Sequence, residues 1–220
     1  MHSIQAMLDY RTIAMLLSKD RVHYRREDTF LPVRFVYSET IYPPAPIGPI
    51  DGYQEAVQVV QQEWREGAHY AKVLGFLETA LQGVRITNMV AFACSSLIRQ
   101  GQINEVSVHQ HSLALLLRDH CQGGRCYTQD PAFSWADESL LPSMGFSVMG
   151  DGEGFLEVQE TGAVLALAPN IPVRQILADI VWPTVLVFTQ TSAWFDSQER
   201  RFGFFFFSPP LSLIPITASR

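Results

Sequence analysis

The sequence predicts a doubly wound α/β fold, with a mostly parallel, Rossmann-like sheet and an N-terminal helical and proline-rich extension. Short apolar runs alternate with helix patterns along the second half of the chain. Two of these runs, residues 126–129 and 163–168, stop at a proline-containing turn and then become a helix pattern. With 220 residues, 47% of them hydrophobic, the chain can bury one sizeable core. We therefore expect one α/β domain whose strands deliver polar groups to one edge of the sheet.

The N-terminal part, residues 1–52, is predicted to be an extension and a linker, and residues 53–220 the α/β domain. A short amphipathic helix is predicted around residues 4–17 and a strand-like run at residues 33–37. Five prolines within residues 32–49 exclude regular helix there. We expect this segment to wrap the domain or to close over its pocket.

The domain itself is predicted to begin with two helices, separated by Gly67, and to continue with strands and helices in alternation. The predicted helices cover residues 53–66, 68–81, 106–121, 134–144 and 173–180, and the predicted strands cover residues 85–94, 125–129, 146–149, 163–168 and 184–188. Right-handed crossovers then place the carboxyl ends of all these strands on one edge. After the last of them, the four phenylalanines of residues 204–207 fit either a buried final strand or an atypical domain end.

Charge and composition narrow the classes of partner. A net charge of −6 has the wrong sign for binding nucleic acid through phosphate neutralisation. The basic residues of positions 19–26 are interrupted and followed by acidic ones, which is typical of a solvated linker. No apolar run of about 18 residues could span a bilayer, and no signal-peptide pattern is present at the N-terminus. The expected partner is a small-molecule substrate, and a homo-oligomer stays open.

The cysteines indicate a reducing compartment, and we expect a cytoplasmic protein. Only Cys94, Cys121 and Cys126 occur, and they form no C-x-x-C pair, so a disulfide framework is not expected. Together with His109, His111 and His120 they match no standard zinc spacing. The sequence therefore predicts no metal site.

Polar residues at the predicted strand ends are the candidate site. Tyr127, Gln129, Asp130, Asn170 and Arg174 should converge at the carboxyl edge of the sheet. Asp-Pro and Pro-Asn after a strand are also ordinary turn chemistry, so a structural role for Asp130 and Asn170 stays open. Arg174 falls in the first turn of a helix, where the dipole disfavours a cation, so a partner is implied. That partner is either Asp130 or an oxygen of a ligand.

Histidine and serine residues complete the set of candidate site residues. His109 and His111 lie two residues apart and point away from each other on a helix, so at most one faces the pocket. We choose His111, with a structural histidine as the alternative. Ser95 and Ser96 lack the Gly-x-Ser-x-Gly elbow of serine hydrolases. The predicted catalytic residues are Asp130, Arg174, His111 and Tyr127, and the predicted substrate-binding residues are Gln129, Phe133, Asn170, Ser95 and Ser96.

Five segments of the domain follow one another in a characteristic order, at residues 90–97, 110–115, 127–133, 154–157 and 169–176. In this order they resemble the SRR-like domain, the "sensitivity to red light reduced" family, and are most similar to its fungal-type members. The resemblance covers residues 85–190. The family has been linked to light and clock signalling, haem metabolism and cytoskeletal phenotypes, so the resemblance assigns no reaction.

One turn departs from the family pattern. Where the family usually has a Gly-Leu-Gly-Ser type turn after the first strand, this chain has Ala93, Cys94, Ser95 and Ser96. Glycines there let the backbone approach a phosphate or cofactor, and side chains fill that space. The sequence therefore predicts no bound cofactor, and neither NAD nor S-adenosylmethionine should bind tightly.

Two functions of different classes follow from these observations. The first is a small-molecule enzyme of a biosynthetic pathway, a cofactor-independent isomerase or cyclase with an apolar pocket at the carboxyl edge. The second is a non-catalytic regulatory or metabolite-binding module.

Overall fold

A computed structural model describes residues 2–10, 33–41, 50–167, 169–190 and 201–206 of the chain. Its helices are α1 (Ile50–Glu66), α2 (Ala68–Ala80), α3 (Glu105–His120), α4 (Trp135–Met144), α5 (Glu153–Leu156) and α6 (Val173–Ile180). Its strands are β1 (His2–Tyr10), β2 (Val33–Ile41), β3 (Asn88–Phe92), β4 (Ile98–Arg99), β5 (Gln102–Ile103), β6 (Arg125–Gln129), β7 (Phe146–Val148), β8 (Ala163–Ala166), β9 (Val185–Gln190) and β10 (Arg201–Phe206).

The main sheet has the strand order β10-β9-β8-β3-β6-β7. Strands β9, β8, β3, β6 and β7 run parallel, and β10 pairs antiparallel with β9. β3 lies between β6 and β8, and all five of its residues are buried. Met89 to Phe92 are apolar, as a strand covered on both faces requires. The doubly wound α/β fold predicted from the sequence is confirmed, and the five parallel strands end on one edge.

Residues on the two faces of the sheet enter separate cores because successive side chains alternate along a strand. Met89 and Ala91 of β3 pack on the face covered by α1 to α4. Val90 and Phe92 pack on the opposite face, together with Val173 and Leu177 of α6. The pleat therefore decides which helices each residue of a central strand can contact.

The helix predicted at residues 4–17 is wrong over the described part, because residues His2–Tyr10 form strand β1. β1 pairs antiparallel with β2, from His2 opposite Ile41 to Tyr10 opposite Val33. Ile4, Ala6 and Leu8 recur at every second position, so this short apolar pattern also fits a strand. The strand predicted at residues 33–37 is confirmed within β2. Residues 11–17 and 42–49 lie outside the described residues, and the wrapping role of the extension stays a prediction.

Most elements of the domain agree with the prediction. β6 and α6 agree to the residue, and α3, α4 and β8 agree within two residues at each end. For the phenylalanine-rich segment the sequence left open a final strand or an atypical domain end. The structure shows strand β10 there. Directly after Gly152 the chain forms the short helix α5.

Gly162 should tolerate no side chain, although it adopts no left-handed conformation. A Cβ atom there would clash with Asn88 Oδ1 and would lie 3.1 Å from the Gln159 carbonyl oxygen. The backbone cannot retreat easily, because the Gly162 carbonyl accepts from Val185 N–H at 3.2 Å. We expect Gly162→Ala to lower the free energy of unfolding by about 1–3 kcal/mol through overpacking.

Gly75 in α2 is the matched control, since a Cβ atom there meets nothing within 4 Å. Gly75→Ala should raise the free energy of unfolding by roughly 0.5–1 kcal/mol. Urea unfolding of both variants measures the difference. Equal stability of Gly162→Ala and the parent protein would contradict the packing described here.

Candidate functional site

The loop that follows β3 stands at the centre of the carboxyl edge. We call residues 93–97 the β3 loop. From β3 the chain passes through α3 to β6 on one side, and it later returns through β8 to the other side of β3. Chain segments leaving β3 and β8 therefore diverge, and open α/β sheets bind ligands in the crevice at such a switch point.

The β3 loop has an unusual backbone for residues that carry side chains. Ala93 has a φ of 57° and Ser95 a φ of 64°, both in the left-handed region. Each such residue costs about 1–2 kcal/mol relative to the right-handed form. Strain of this kind persists only where neighbouring contacts hold it.

Hydrogen bonds to the end of β6 and to α3 hold the β3 loop in place. Ala93 N–H donates to the Gln129 carbonyl at 3.1 Å, and Ser95 N–H donates to Asp130 Oδ2 at 2.6 Å. The Ser95 carbonyl accepts from Ser107 Oγ of α3 at 2.8 Å. The end of β6, the start of α3 and the loop are thus fixed to one another.

Asp137 ties the same loop to α4 and was not among the predicted site residues. Its fully buried carboxylate accepts from Leu97 N–H at 2.7 Å and from Ser96 Oγ at 2.7 Å. It also accepts from Ser134 N–H at 2.7 Å and from Ser134 Oγ at 2.8 Å. Both residues belong to the helix predicted at residues 134–144, but no local sequence pattern could show the contact of Asp137 with the β3 loop.

Asp130 lies partly buried at the carboxyl end of β6, beside the β3 loop. Besides the bond from Ser95, its Oδ1 accepts from Ala132 N–H at 2.8 Å, which is the turn chemistry of an Asp-Pro sequence. Burial raises the pKa of Asp130, the two backbone bonds oppose that rise, and the charge of Asp137 adds to it. This carboxylate therefore takes up a proton more readily than an exposed aspartate.

His111 lies in the core, in α3. Its Nδ1 is 2.8 Å from the Ser107 carbonyl and must donate to it, because a carbonyl only accepts. Nε2 then accepts from Thr128 Oγ1 at 3.4 Å. Burial lowers the pKa of His111 to about 4, so the ring is neutral near pH 7. The imidazole is completely buried, and its geometry is that of a structural histidine.

Tyr127 and His111 lie on opposite faces of the sheet. Tyr127 packs with Phe92 and Phe155, while His111 contacts Thr128, the next residue along β6. The alternation of β6 separates them, so the structure does not bring together the four predicted catalytic residues. Phe133 is partly buried and follows the turn at Asp130. It lies on the same face of the sheet as His111, and the centroids of the two rings are 5.9 Å apart.

Gln129 is buried beneath the edge, on the Tyr127 side. Its Oε1 accepts from Gly154 N–H at 2.7 Å, and its Nε2 donates to Asp151 Oδ1 at 3.5 Å. Gly154 is required here, because a Cβ atom would lie 2.7 Å from that Oε1 atom. Gln129 thus fixes α5 against β6.

Asn170 and Arg174 follow β8, across the crevice from Asp130, and both are exposed. The Arg174 guanidinium carbon lies 4.4 Å from the centre of the Phe188 ring. Its contact is therefore an aromatic face, and no ion pair joins it to Asp130. Ser95 is also exposed, whereas the Ser96 hydroxyl is bonded to Asp137. Of the predicted residues, Ser95, Asn170 and Arg174 are the exposed ones at this edge, with Asp130 partly buried beside them.

The topology and this polar edge define a doubly wound α/β domain with a candidate ligand crevice at its switch point. The family model of the SRR1 domain matches residues 61–206, about two thirds of the chain. The chain therefore belongs to the SRR1 domain family. No curated protein matches it.

The described part of the chain holds no group of three or more His, Cys, Asp or Glu side chains placed to bind a metal ion. Within these residues no helix is long and apolar enough to cross a membrane. Cys94, Cys121 and Cys126 are free and buried, and burial raises the pKa of each thiol. A raised pKa makes a cysteine a weak nucleophile.

Replacing Asp137 by alanine should destabilise the fold strongly. The change leaves Leu97 N–H, Ser134 N–H and two hydroxyl groups without their buried acceptor. We expect a loss of about 2–4 kcal/mol in the free energy of unfolding. Glu138→Ala, at the exposed neighbouring position, should change it by less than about 0.5 kcal/mol. Urea unfolding of the two variants decides, and similar values for both would refute the role of Asp137.

His111 should make stability depend on pH. Its pKa falls from 6.5 in the unfolded chain to about 4 in the folded one, so the unfolded state binds this proton more readily. The contribution of neutral His111 to the free energy of unfolding is therefore complete above about pH 6.5. As the pH falls toward 4, this contribution is lost, by roughly 3 kcal/mol at most. The raised pKa of Asp130 acts in the opposite direction and is present in both the parent and a His111 variant.

His111→Gln should therefore flatten the decline in stability between pH 6.5 and 4, whatever its effect at pH 7. His69→Gln, at an exposed position in α2, serves as the control and should leave the decline unchanged. Urea unfolding at several pH values gives both curves. Parallel curves for the parent and His111→Gln would show that His111 is not the group responsible.

Proposed function

We propose that this SRR1 domain is a small-molecule enzyme, an isomerase or cyclase that acts without a bound cofactor, at the crevice between the ends of β3 and β8. The observation that supports this most is the Asp130 carboxylate. It is held in place by Ser95 N–H and Ala132 N–H, and burial raises its pKa. A positioned carboxylate with a raised pKa is suited to accept a proton and return it.

Isomerisation and cyclisation move a proton and electrons within one molecule, so a single acid–base group can serve both directions of transfer. Asp130 would take a proton from one carbon or oxygen of the substrate and give it back at another. Asn170 and Arg174 would bind a substrate oxygen from the other side of the crevice. Because β6 and β8 are two strand spacings apart, a molecule about 10 Å long would reach both sides. Orientation of this kind can contribute roughly 7–11 kcal/mol to lowering a barrier.

His111 and Tyr127 have a supporting part in this proposal. Both are buried, His111 against Thr128 and Tyr127 beside Phe92. Their packing holds β6 in place from both faces of the sheet. Asp130 directly follows Gln129, the last residue of β6, so its position depends on theirs. Gln129 acts in the same way through Gly154.

A non-catalytic, metabolite-binding or regulatory module is the second candidate. Both oxygens of Asp130 already accept a backbone N–H, which would be sufficient reason for the residue if it only holds the β3 loop. In that case the exposed Ser95, Asn170 and Arg174 bind a ligand without changing it.

Untargeted metabolite profiling of cells with and without the gene separates the two candidates. An isomerase or cyclase conserves the elemental composition of its substrate. Loss of the gene should therefore raise one compound and lower another of the same molecular formula. The purified protein should then convert the first compound into the second. If no such pair of isomers changes, the enzyme proposal fails and the binding module is favoured.

Asp130→Asn and Arg174→Ala should each lower kcat/KM for that conversion by about ten- to a hundredfold, which is the effect of losing one charge-assisted hydrogen bond. Thermal stability should change little in Arg174→Ala, because the Arg174 side chain is exposed. Asp130→Asn should melt at a lower temperature, because asparagine has one accepting oxygen for the two backbone N–H groups that Asp130 binds. We therefore compare kcat/KM at a temperature at which each variant is folded. Arg85→Ala, at an exposed arginine before β3, is the control and should leave kcat/KM unchanged. Full activity in a folded Asp130→Asn protein would remove Asp130 from the mechanism.

A further inference from the structure

The β3 loop has the backbone form of an anion site. Ala93 and Ser95 are left-handed on either side of Cys94, and the N–H groups of Ser95 and Leu97 both point at carboxylate oxygens. Turns that mix left- and right-handed residues collect N–H groups into a concavity, which binds phosphate in many α/β proteins. The position of the loop, after a central strand at the switch point, is also where such proteins bind phosphate.

In this chain the concavity is already occupied by the protein itself. Asp130 Oδ2 lies 2.6 Å from Ser95 N, and Asp130 Oδ1 lies 2.8 Å from Ala132 N. Asp137 Oδ1 lies 2.7 Å from Leu97 N. These two carboxylates come from the end of β6 and from α4, elements that are far from the loop in sequence. Asp130 is the more accessible, since Asp137 is completely buried.

We infer that the β3 loop is a backbone anion site filled by the Asp130 carboxylate, so that the crevice rejects phosphate-bearing ligands and takes neutral or cationic molecules that present an O–H or N–H group to Asp130. A phosphate at this loop would have to displace Asp130 and would face two negative charges. The Ala93 and Ser95 side chains also occupy space that glycines would leave open. The ligand class rests on the function proposed above, whereas the occupancy of the loop does not.

The test removes the Asp130 carboxylate and offers the β3 loop an external anion, pyrophosphate, in its place. Pyrophosphate is titrated calorimetrically into the parent protein and into Asp130→Ala. The variant should bind pyrophosphate at least about tenfold more tightly, because it gains a charge-assisted bond from Ser95 N–H and loses a repulsive charge. Adding pyrophosphate should also raise the melting temperature of Asp130→Ala more than that of the parent.

Glu138→Ala is the matched control for charge. It removes one carboxylate next to Asp137, at an exposed side chain. It should not gain affinity for pyrophosphate. An equal gain in Glu138→Ala would show that net charge alone is responsible and would overturn the inference. Equal affinity in the parent and in Asp130→Ala would also overturn it.

If Asp130→Ala gives no cooperative melting transition, Asp130→Ser is measured instead, since serine is too short to fill the site but keeps a polar group there. The same gain is expected, and its absence counts against the inference. Because pyrophosphate is not the substrate, the two proposals fail separately. A gain in pyrophosphate affinity without any isomer pair in the metabolite profile would support the occupancy of the loop by Asp130 and reject the enzyme.

Discussion

A buried carboxylate must be matched by hydrogen-bond donors, and at Asp137 that requirement joins two distant parts of the chain. Its donors come from Ser96 and Leu97 after β3 and from Ser134 before α4. Each segment supplies two of these donors, so neither one alone matches the whole carboxylate. An unmatched buried carboxylate would cost several kcal/mol. The β3 loop and the start of α4 therefore reach their final positions together.

The same interactions explain how a strained loop persists without glycine. The left-handed Ala93 and Ser95 cost about 1–2 kcal/mol each, whereas a hydrogen bond to a charged group contributes about 1.5–3 kcal/mol. Asp130 accepts from the N–H of Ser95 itself, and Asp137 accepts two residues further on. The two carboxylates are thus sufficient to offset the strain. The loop thus keeps this geometry through contacts within the protein, which suits the role in orienting a substrate that we propose.

The fold was largely predictable because its signals are local. β6 and α6 were predicted to the residue, since each is bounded by glycine or proline and has one clear period. Strand β1 was missed because a short apolar segment fits both periods, and its partner β2 lies well beyond it in sequence. The edge of the sheet was predicted from crossover handedness. The side-chain contacts could not be predicted in the same way. Tyr127 and Thr128 are neighbours in the sequence but enter different cores. The hydrogen bond from Leu97 N–H to Asp137 joins two segments whose local sequence patterns do not show it.

Asp130 is fixed from both faces of the sheet, because the residues before it on β6 alternate between the two cores. Thr128 contacts His111 on the side covered by α3. Gln129 bonds Gly154 on the opposite side, where Phe92 stacks on Phe155 with ring centroids 4.5 Å apart. A shift in either core would move the end of β6, and with it the carboxylate that meets the β3 loop. Contacts on both faces keep the Asp130 carboxylate in place, as the orientation of a substrate in the proposed function would require.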